Sequence, residues 1–225
     1  MTDFVPPEIG ELTLLHEDDD IIVVDKPWGA LVHNSSFAGP RERSLKQALE
    51  AQTGLALQPL HRLDRGTSGL VIFLKNKQAF AEWSAALGAD TTQKQYLSIA
   101  RGRLKSDGIS VVRPLKDDKG VVYHAQSTIW TLATSEIERC SLVYVTIFTG
   151  RTHQIRRHLV HLRHPVVGDS VHGDTKFNRA FRESTGLARL ALHAHSLTMT
   201  TPRGQRLSIV CPPSGPLGDA ISALF

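Results

Sequence analysis

Apolar residues in the first third of the chain come mostly in short unbroken runs rather than in helical stripes. Residues 12–25 read as two short strands split by the acidic turn Glu17-Asp18-Asp19-Asp20. The run Ile21-Ile22-Val23-Val24 is apolar at consecutive positions, as a strand buried on both faces is. Lys26-Pro27-Trp28-Gly29 ends it, because proline withholds an N–H and glycine admits a turn. Residues 30–33 read as a further strand-like piece. Ser44 stands where an N-cap belongs, ahead of a helix to about Gln52 with Leu45 and Leu49 four apart on one face. A second unbroken run, residues 70–74, predicts another buried strand, and a helix follows over about 78–87.

Further strands are predicted at 95–100, 127–132, 142–148, 190–200 and 206–210, with a hairpin inside 111–123 around Asp117-Asp118-Lys119-Gly120. Residues 152–162 switch to the helical period: Ile155, Leu159 and Leu162 fall at i, i+4 and i+7. The opposite sides of that helix carry Arg156, Arg157, His158, His161 and Arg163, and His153 falls in the same stretch. Residues 165–189 read as a polar loop. Strands outnumber helices without strict alternation, which predicts one α+β domain on a large, mixed or mostly antiparallel sheet. There is no internal repeat, low-complexity tract or linker.

Composition narrows the class. A chain of 225 residues with 41% apolar content suits one large globular domain. No apolar run approaches the roughly 18 residues of a membrane span. The N-terminus MTDFVPPEIGELT lacks a basic start followed by an apolar stretch, so a secretory signal is not expected. The only cysteines, Cys140 and Cys211, are expected to be reduced thiols in a cytoplasm. The formal charge of +4 suits a polyanionic partner only weakly, but residues 151–164, RTHQIRRHLVHLRH, hold four arginines and four histidines without one acid. That local concentration is the stronger signal.

The densest chemistry lies in HRLDRGTSGL, residues 61–70, a charged turn set directly ahead of a buried strand. Asp64 has two readings. It is a turn residue that accepts backbone N–H groups or pairs with Arg62 or Arg65. Alternatively it is a carboxylate kept ionised by flanking arginines and available as nucleophile or general base. In Gly150-Arg151-Thr152-His153-Gln154-Ile155-Arg156-Arg157, a glycine leads into a helix whose first N–H groups sit beside arginines, a suitable place for an anion. The alternative there is a solvated basic face. Eleven histidines invite a metal, yet HExxH and zinc-spaced cysteine pairs are absent and positive charge crowds the histidines, so no metal is expected. Tyr96 reads as a half-buried strand aromatic.

These residues resemble the RluA-type family of pseudouridine synthases. The segments that carry the resemblance are DKPWGALVH (25–33), HRLDRGTSGL, KQYLSIARG (94–102), GRTHQIRRHLVHLRHPVVGD (150–169) and HAHSLTMTTP (193–202), in family order. The resemblance implies an RNA-modifying isomerase that detaches the uracil of a chosen uridine, turns it over and rejoins it through carbon 5, without metal or cofactor. It implies a single catalytic domain over residues 12–225 after a short tail at 1–11, with a cleft across a mixed sheet and no S4 RNA-binding domain. Asp64 matches the catalytic aspartate, Tyr96 the aromatic that stacks on the base and takes the carbon-5 proton, and Arg156 the basic partner of the aspartate. Arg62 matches the arginine that fills the space left by the flipped base. Arg65, Lys94, Arg151, Arg157 and Arg163 are expected to contact RNA, and His61, Leu63 and Ile155 to line the substrate pocket.

Within the family, LRHPVVGD, HGD and FNR, with His172-Gly173 where tyrosine-glycine is usual, are similar to the TruC subgroup. That subgroup acts on a uridine in the T-arm stem of tRNA. A ribosomal RNA uridine is the alternative substrate. From other classes, a non-catalytic RNA-binding or chaperone protein is opposed by the joint presence of Asp64, Tyr96 and Arg156. A metal-dependent nuclease would need clustered acids. A soluble, cytoplasmic monomer is expected.

Overall fold

In the computed structural model, which describes residues 8–34 and 42–225, the run at 21–24 forms the first four residues of a six-residue strand, and its four apolar side chains are all fully buried. The chain forms two compact units: residues up to Thr92 with Leu197–Cys211, and Gln93–Ser196 with Pro212–Phe225.

In the first unit β1 (Leu14–Glu17) pairs antiparallel with β2 (Ile21–Lys26) across the acidic turn. After α1 (Leu45–Thr53) come β3 (Gln58–Pro59) and β4 (Ser68–Leu74), and β2 and β3 both pair antiparallel with β4. Every residue of β4 is buried, as its unbroken apolar run predicts, and each large apolar side chain so buried contributes about 1.5–3 kcal/mol. Ser44 caps α1 in a reciprocal box with Gln47, and Gly54 closes the helix in the left-handed region. Residues 30–33 are not a strand. The Leu31 and Val32 carbonyls instead accept the N–H groups of Leu45 and Lys46 (2.8 and 3.0 Å), the orphan donors at the start of α1. A 3₁₀ turn (Lys77–Ala79) leads into α2 (Phe80–Gly88).

The second unit holds β5 (Gln93–Arg101), β6 (Asp107–Val112), the small β7–β8 hairpin (Leu115–Lys116, Val122–Tyr123), β9 (Gln126–Thr134) and β10 (Cys140–Ile147). The order β5-β10-β9-β6 is antiparallel throughout. Then follow α3 (Gln154–His161), α4 (Thr175–Thr185) and β11 (Leu192–Thr200), whose residues 192–196 belong here and the rest to the first unit. In the first unit β12 (Arg206–Val210) pairs with β11, and α5 (Gly215–Leu224) completes the second. The second unit's core gathers Ile99, Val143 and Val145 from the strands, Ile155 and Leu159 from α3, and Phe181 from α4.

Two helices lie where none was expected. The predicted polar loop contains α4, which Asp174 caps through the Phe177 N–H (2.9 Å) and Gly186 closes, with Phe177 and Phe181 one turn apart. α5 follows Ser214 with proline in its first turn. The α+β class and the mostly antiparallel pairing are as the sequence predicts. Residues 1–7 of the expected tail lie outside the described residues.

Candidate active site

Asp64 sits at the head of a turn closed by Thr67 N–H on the Asp64 carbonyl (3.0 Å), and it is half-buried. Two cations fix that turn from below. Lys26, fully buried at the end of β2, donates from Nζ to the carbonyls of Pro27 (2.9 Å), Ala30 (2.7 Å) and Arg65 (3.1 Å). The Arg65 carbonyl also takes the Gly29 N–H (2.8 Å), while its Nε donates to the Gly29 carbonyl (3.0 Å) and Nη2 pairs with Glu42. Arg65 therefore acts within the fold, locking the Pro27–Gly29 turn to the Asp64 turn. His61 likewise accepts the Ile72 N–H through Nε2 (3.2 Å), which anchors the segment on β4. Leu63 is buried core at 8% exposure. Arg62 alone in this turn reaches out: it is exposed and pairs with no described residue.

In the second unit Tyr96 lies half-buried on β5 opposite Val145 and packs on the core. Two residues earlier Lys94 is half-buried, and desolvation holds its ammonium below the ordinary lysine range. Ile155 and Arg156 are both buried in the first turn of α3. Arg156 grips Asp169 with a two-point fork, Nε to Oδ2 and Nη2 to Oδ1, both 2.7 Å. Burial raises the Asp169 carboxyl, but the Arg156 guanidinium and the N–H groups of His172 and Val171 outweigh it and hold it below the usual carboxylate range. The basic face of α3 is not simply solvated. Arg151 Nε donates to the His124 carbonyl (3.0 Å) with its guanidinium 5.1 Å from the Tyr123 ring centre, and Arg157 Nη1 donates to the Lys116 carbonyl (2.9 Å). Both arginines thus hold the β7–β8 hairpin and its flank. Arg163 is exposed beyond the helix end.

Several structural residues were not singled out from the sequence. Asp169 and Lys26 are two. Gln154 is a third: its amide receives Thr149 Oγ1 and Arg151 N–H and donates to the Gln126 carbonyl and Ser127 Oγ, so no buried polar group at the entrance to α3 is wasted. His158, fully buried, bonds Ser127 Oγ (2.9 Å). His153 precedes the helix rather than joining it, in the left-handed region (φ 54°), with Nδ1 2.9 Å from Nε2 of His172. Among the described residues no group of three or more His, Cys, Asp or Glu is placed to hold a metal ion. Both cysteines are buried, and burial first, then Glu138, pushes the Cys140 thiol up to about 12.

The first unit thus holds Asp64 on a pinned turn, and the second holds Tyr96 on a core strand and Arg156 anchored by Asp169. Residues 20–161 match the family model for RNA pseudouridylate synthases. The chain is similar to tRNA pseudouridine synthase C of Pasteurella multocida, 36% identical over 89% of this chain and 90% of that one. It is similar also to the protein of the same name from Haemophilus ducreyi, 35% identical over 86% and 87%. Among solved structures, human RNA pseudouridylate synthase domain containing 4 superposes with a TM-score of 0.75 at 22% identity, over 93% of this chain and 91% of that one. Human RNA pseudouridylate synthase domain containing 1 gives 0.74 at 23% identity over 93% and 86%, and both show the same fold. The chain belongs to the RNA pseudouridylate synthase family, with the RluA-type motifs, and is an isomerase of RNA.

Proposed function

We propose that this protein converts a uridine in the T-arm stem of tRNA to pseudouridine; its relatives carry the name tRNA pseudouridine synthase C. The observation that carries the reading is the Asp64 turn: a half-buried carboxylate held in place by Lys26 and Arg65, next to an outward-reaching, unpartnered arginine. A base in a helical stem must leave the stack before chemistry, at about a few kcal/mol, and Arg62 occupies the gap it leaves. By the family resemblance Asp64 is assigned the role of nucleophile, Tyr96 that of the aromatic on the uracil face, and Arg156, steadied by Asp169, that of the basic residue. The glycosidic bond from N1 breaks, the base rotates, and carbon 5 bonds to the ribose. The carbon-5 proton leaves through Tyr96 while N1 gains one, so no redox partner is required. The family match runs across residues of both units, which supports reading residues 12–225 as one catalytic domain. We place the enzyme in the cytoplasm as a monomer; among the described residues no helix is long and apolar enough to cross a membrane.

The test is tritium release from carbon-5-labelled uridine in a tRNA transcript, with mapping of the product. Wild type is expected to release tritium at a T-arm stem uridine, and Asp64→Asn to lose release while still binding RNA. Near-normal turnover by Asp64→Asn removes Asp64 from the mechanism. Release from ribosomal RNA alone moves the substrate and leaves the chemistry.

A further inference from the structure

The second unit carries an open pocket of about 470 Å³ that none of Asp64, Tyr96 and Arg156 lines. Its walls come from the end of β5 and the turn after it (Arg101, Arg103), from Arg139 just before β10, from Arg163 and His164 beyond α3, and from Phe177 on α4. Four arginines thus line one concavity in a chain whose formal charge is only +4. Their partners are few. Arg101 pairs with Asp174, and Arg103 comes no closer than 4.0 Å to the highly exposed Glu136. Arg139 and Arg163 are exposed and neither guanidinium pairs with any described residue.

The backbone at Arg163 is a second, independent observation. It lies in the left-handed region (φ 65°), the position that closes α3: Arg163 N–H bonds the Val160 carbonyl (2.8 Å) and His164 N–H the Leu159 carbonyl (2.9 Å). That pair of bonds is the Schellman closure, whose left-handed residue is usually glycine because a side chain there is strained. An arginine at such a site keeps a cation at the pocket rim against the local backbone preference, and a strained residue of this kind points to use.

We propose that this pocket is a second RNA contact, separate from the catalytic residues, which seats a backbone phosphate of the substrate. The proposal rests on the RNA-modifying function proposed above. Planar guanidinium forks match phosphate oxygens two at a time, and unpaired cations held together repel one another until an anion arrives. The half-buried Phe177 offers an apolar wall for the adjoining ribose or base. A free mononucleotide presents the same phosphate chemistry, so the experiment separates the two sources.

Arg163→Gly, Arg139→Gln and the double variant are compared with wild type for tRNA affinity between 50 and 200 mM salt, for uridine monophosphate affinity, for melting temperature and for tritium release. The double variant should bind tRNA about tenfold or more weakly at low salt, with a log–log salt slope shallower by about 0.9, the change for one lost phosphate contact. Arg163→Gly should melt no lower than wild type, because glycine suits the closure, so its weaker binding is not misfolding. As a control, Arg182→Gln with Arg206→Gln removes two surface charges elsewhere and should leave the slope within half a unit. An unchanged slope in the Arg139/Arg163 double variant overturns the proposal, as does a loss confined to uridine monophosphate. If wild type binds tRNA through these arginines but releases no tritium, the pocket stands and the catalytic reading falls. If it releases tritium with a slope indifferent to them, the reverse holds.

Discussion

Asp169 collects four hydrogen bonds on one carboxylate: two from Arg156 and one each from the N–H groups of Val171 and His172. A carboxylate so loaded fixes the guanidinium's plane as well as its place. Asp169→Asn keeps the shape but turns a donor toward Arg156 or leaves one oxygen to serve it, and removing one partner of a buried pair costs about 3–5 kcal/mol. Urea unfolding should register that loss, and tritium release in the still-folded protein should fall on the order of 10²-fold from misplacement of Arg156. Normal turnover would make Asp169 a fold residue only. The sequence displays Asp169 in the GRTHQIRRHLVHLRHPVVGD segment but not its task, because a side chain's partner thirteen positions away is a tertiary fact. Arg65 teaches the same lesson from the other side. Its charge beside Asp64 suggests RNA contact, and the fold turns it inward to Gly29 and Glu42.

At the scale of elements, the sequence announces strands well where a run is short, β-branched and bounded by turn residues, as in β2 and β4, because those features separate a strand buried on both faces from a buried helix. It announces α4 poorly. TKFNRAFREST shows only two aromatic residues among charges, so its helical stripe is one turn wide, although Asp174 before it and Gly186 after it are sound boundary signals. Residues 30–33 mislead because their apolar pattern is real while their carbonyls serve α1. The join between 164 and 192 depends on a close approach at Gly168, where φ is 76° and an added Cβ would lie 2.0 Å from the Arg189 carbonyl oxygen. Gly168→Ala should therefore cost on the order of 3 kcal/mol or more in chemical denaturation. Gly54→Ala, with a similar φ of 73° but open space around it, should cost only about 1 kcal/mol. Equal losses at the two positions would show that backbone conformation, not the Arg189 contact, decides both.

For the molecule as a whole, stability follows the buried titrating groups. Burial leads the causes that hold His158 below its ordinary value, with Arg113, Arg157 and His161 adding repulsion. The unfolded chain then takes up a proton at His158 before the folded protein does. Its contribution is complete above about pH 6.5 and is lost as pH falls from there toward the folded value. Asp169 adds a second loss only below about pH 4, because its folded value is also depressed. The melting temperature should stay level from pH 8 to 7 and decline below about 6.5, and His158→Gln should start lower yet lack that decline. The same acid slope in the variant would assign it to other histidines. Family membership was legible across the chain because the motifs are local strings. The arginine pocket was not, since Arg101, Arg103, Arg139 and Arg163 are scattered over sixty-odd residues and meet only through β5, β10 and α3.

Lys26 has a consequence for binding. Its ammonium joins the end of β2 to a carbonyl thirty-nine residues later, so it works as a non-covalent cross-link under the Asp64 turn. Ordering a loop residue costs about 1–2 kcal/mol of conformational entropy, and here that cost is met when the protein folds rather than when RNA arrives. With Asp64 in its proposed role, the protein meets RNA with this turn preorganised, leaving more of the binding energy for the proposed extrusion of the uridine from its stack.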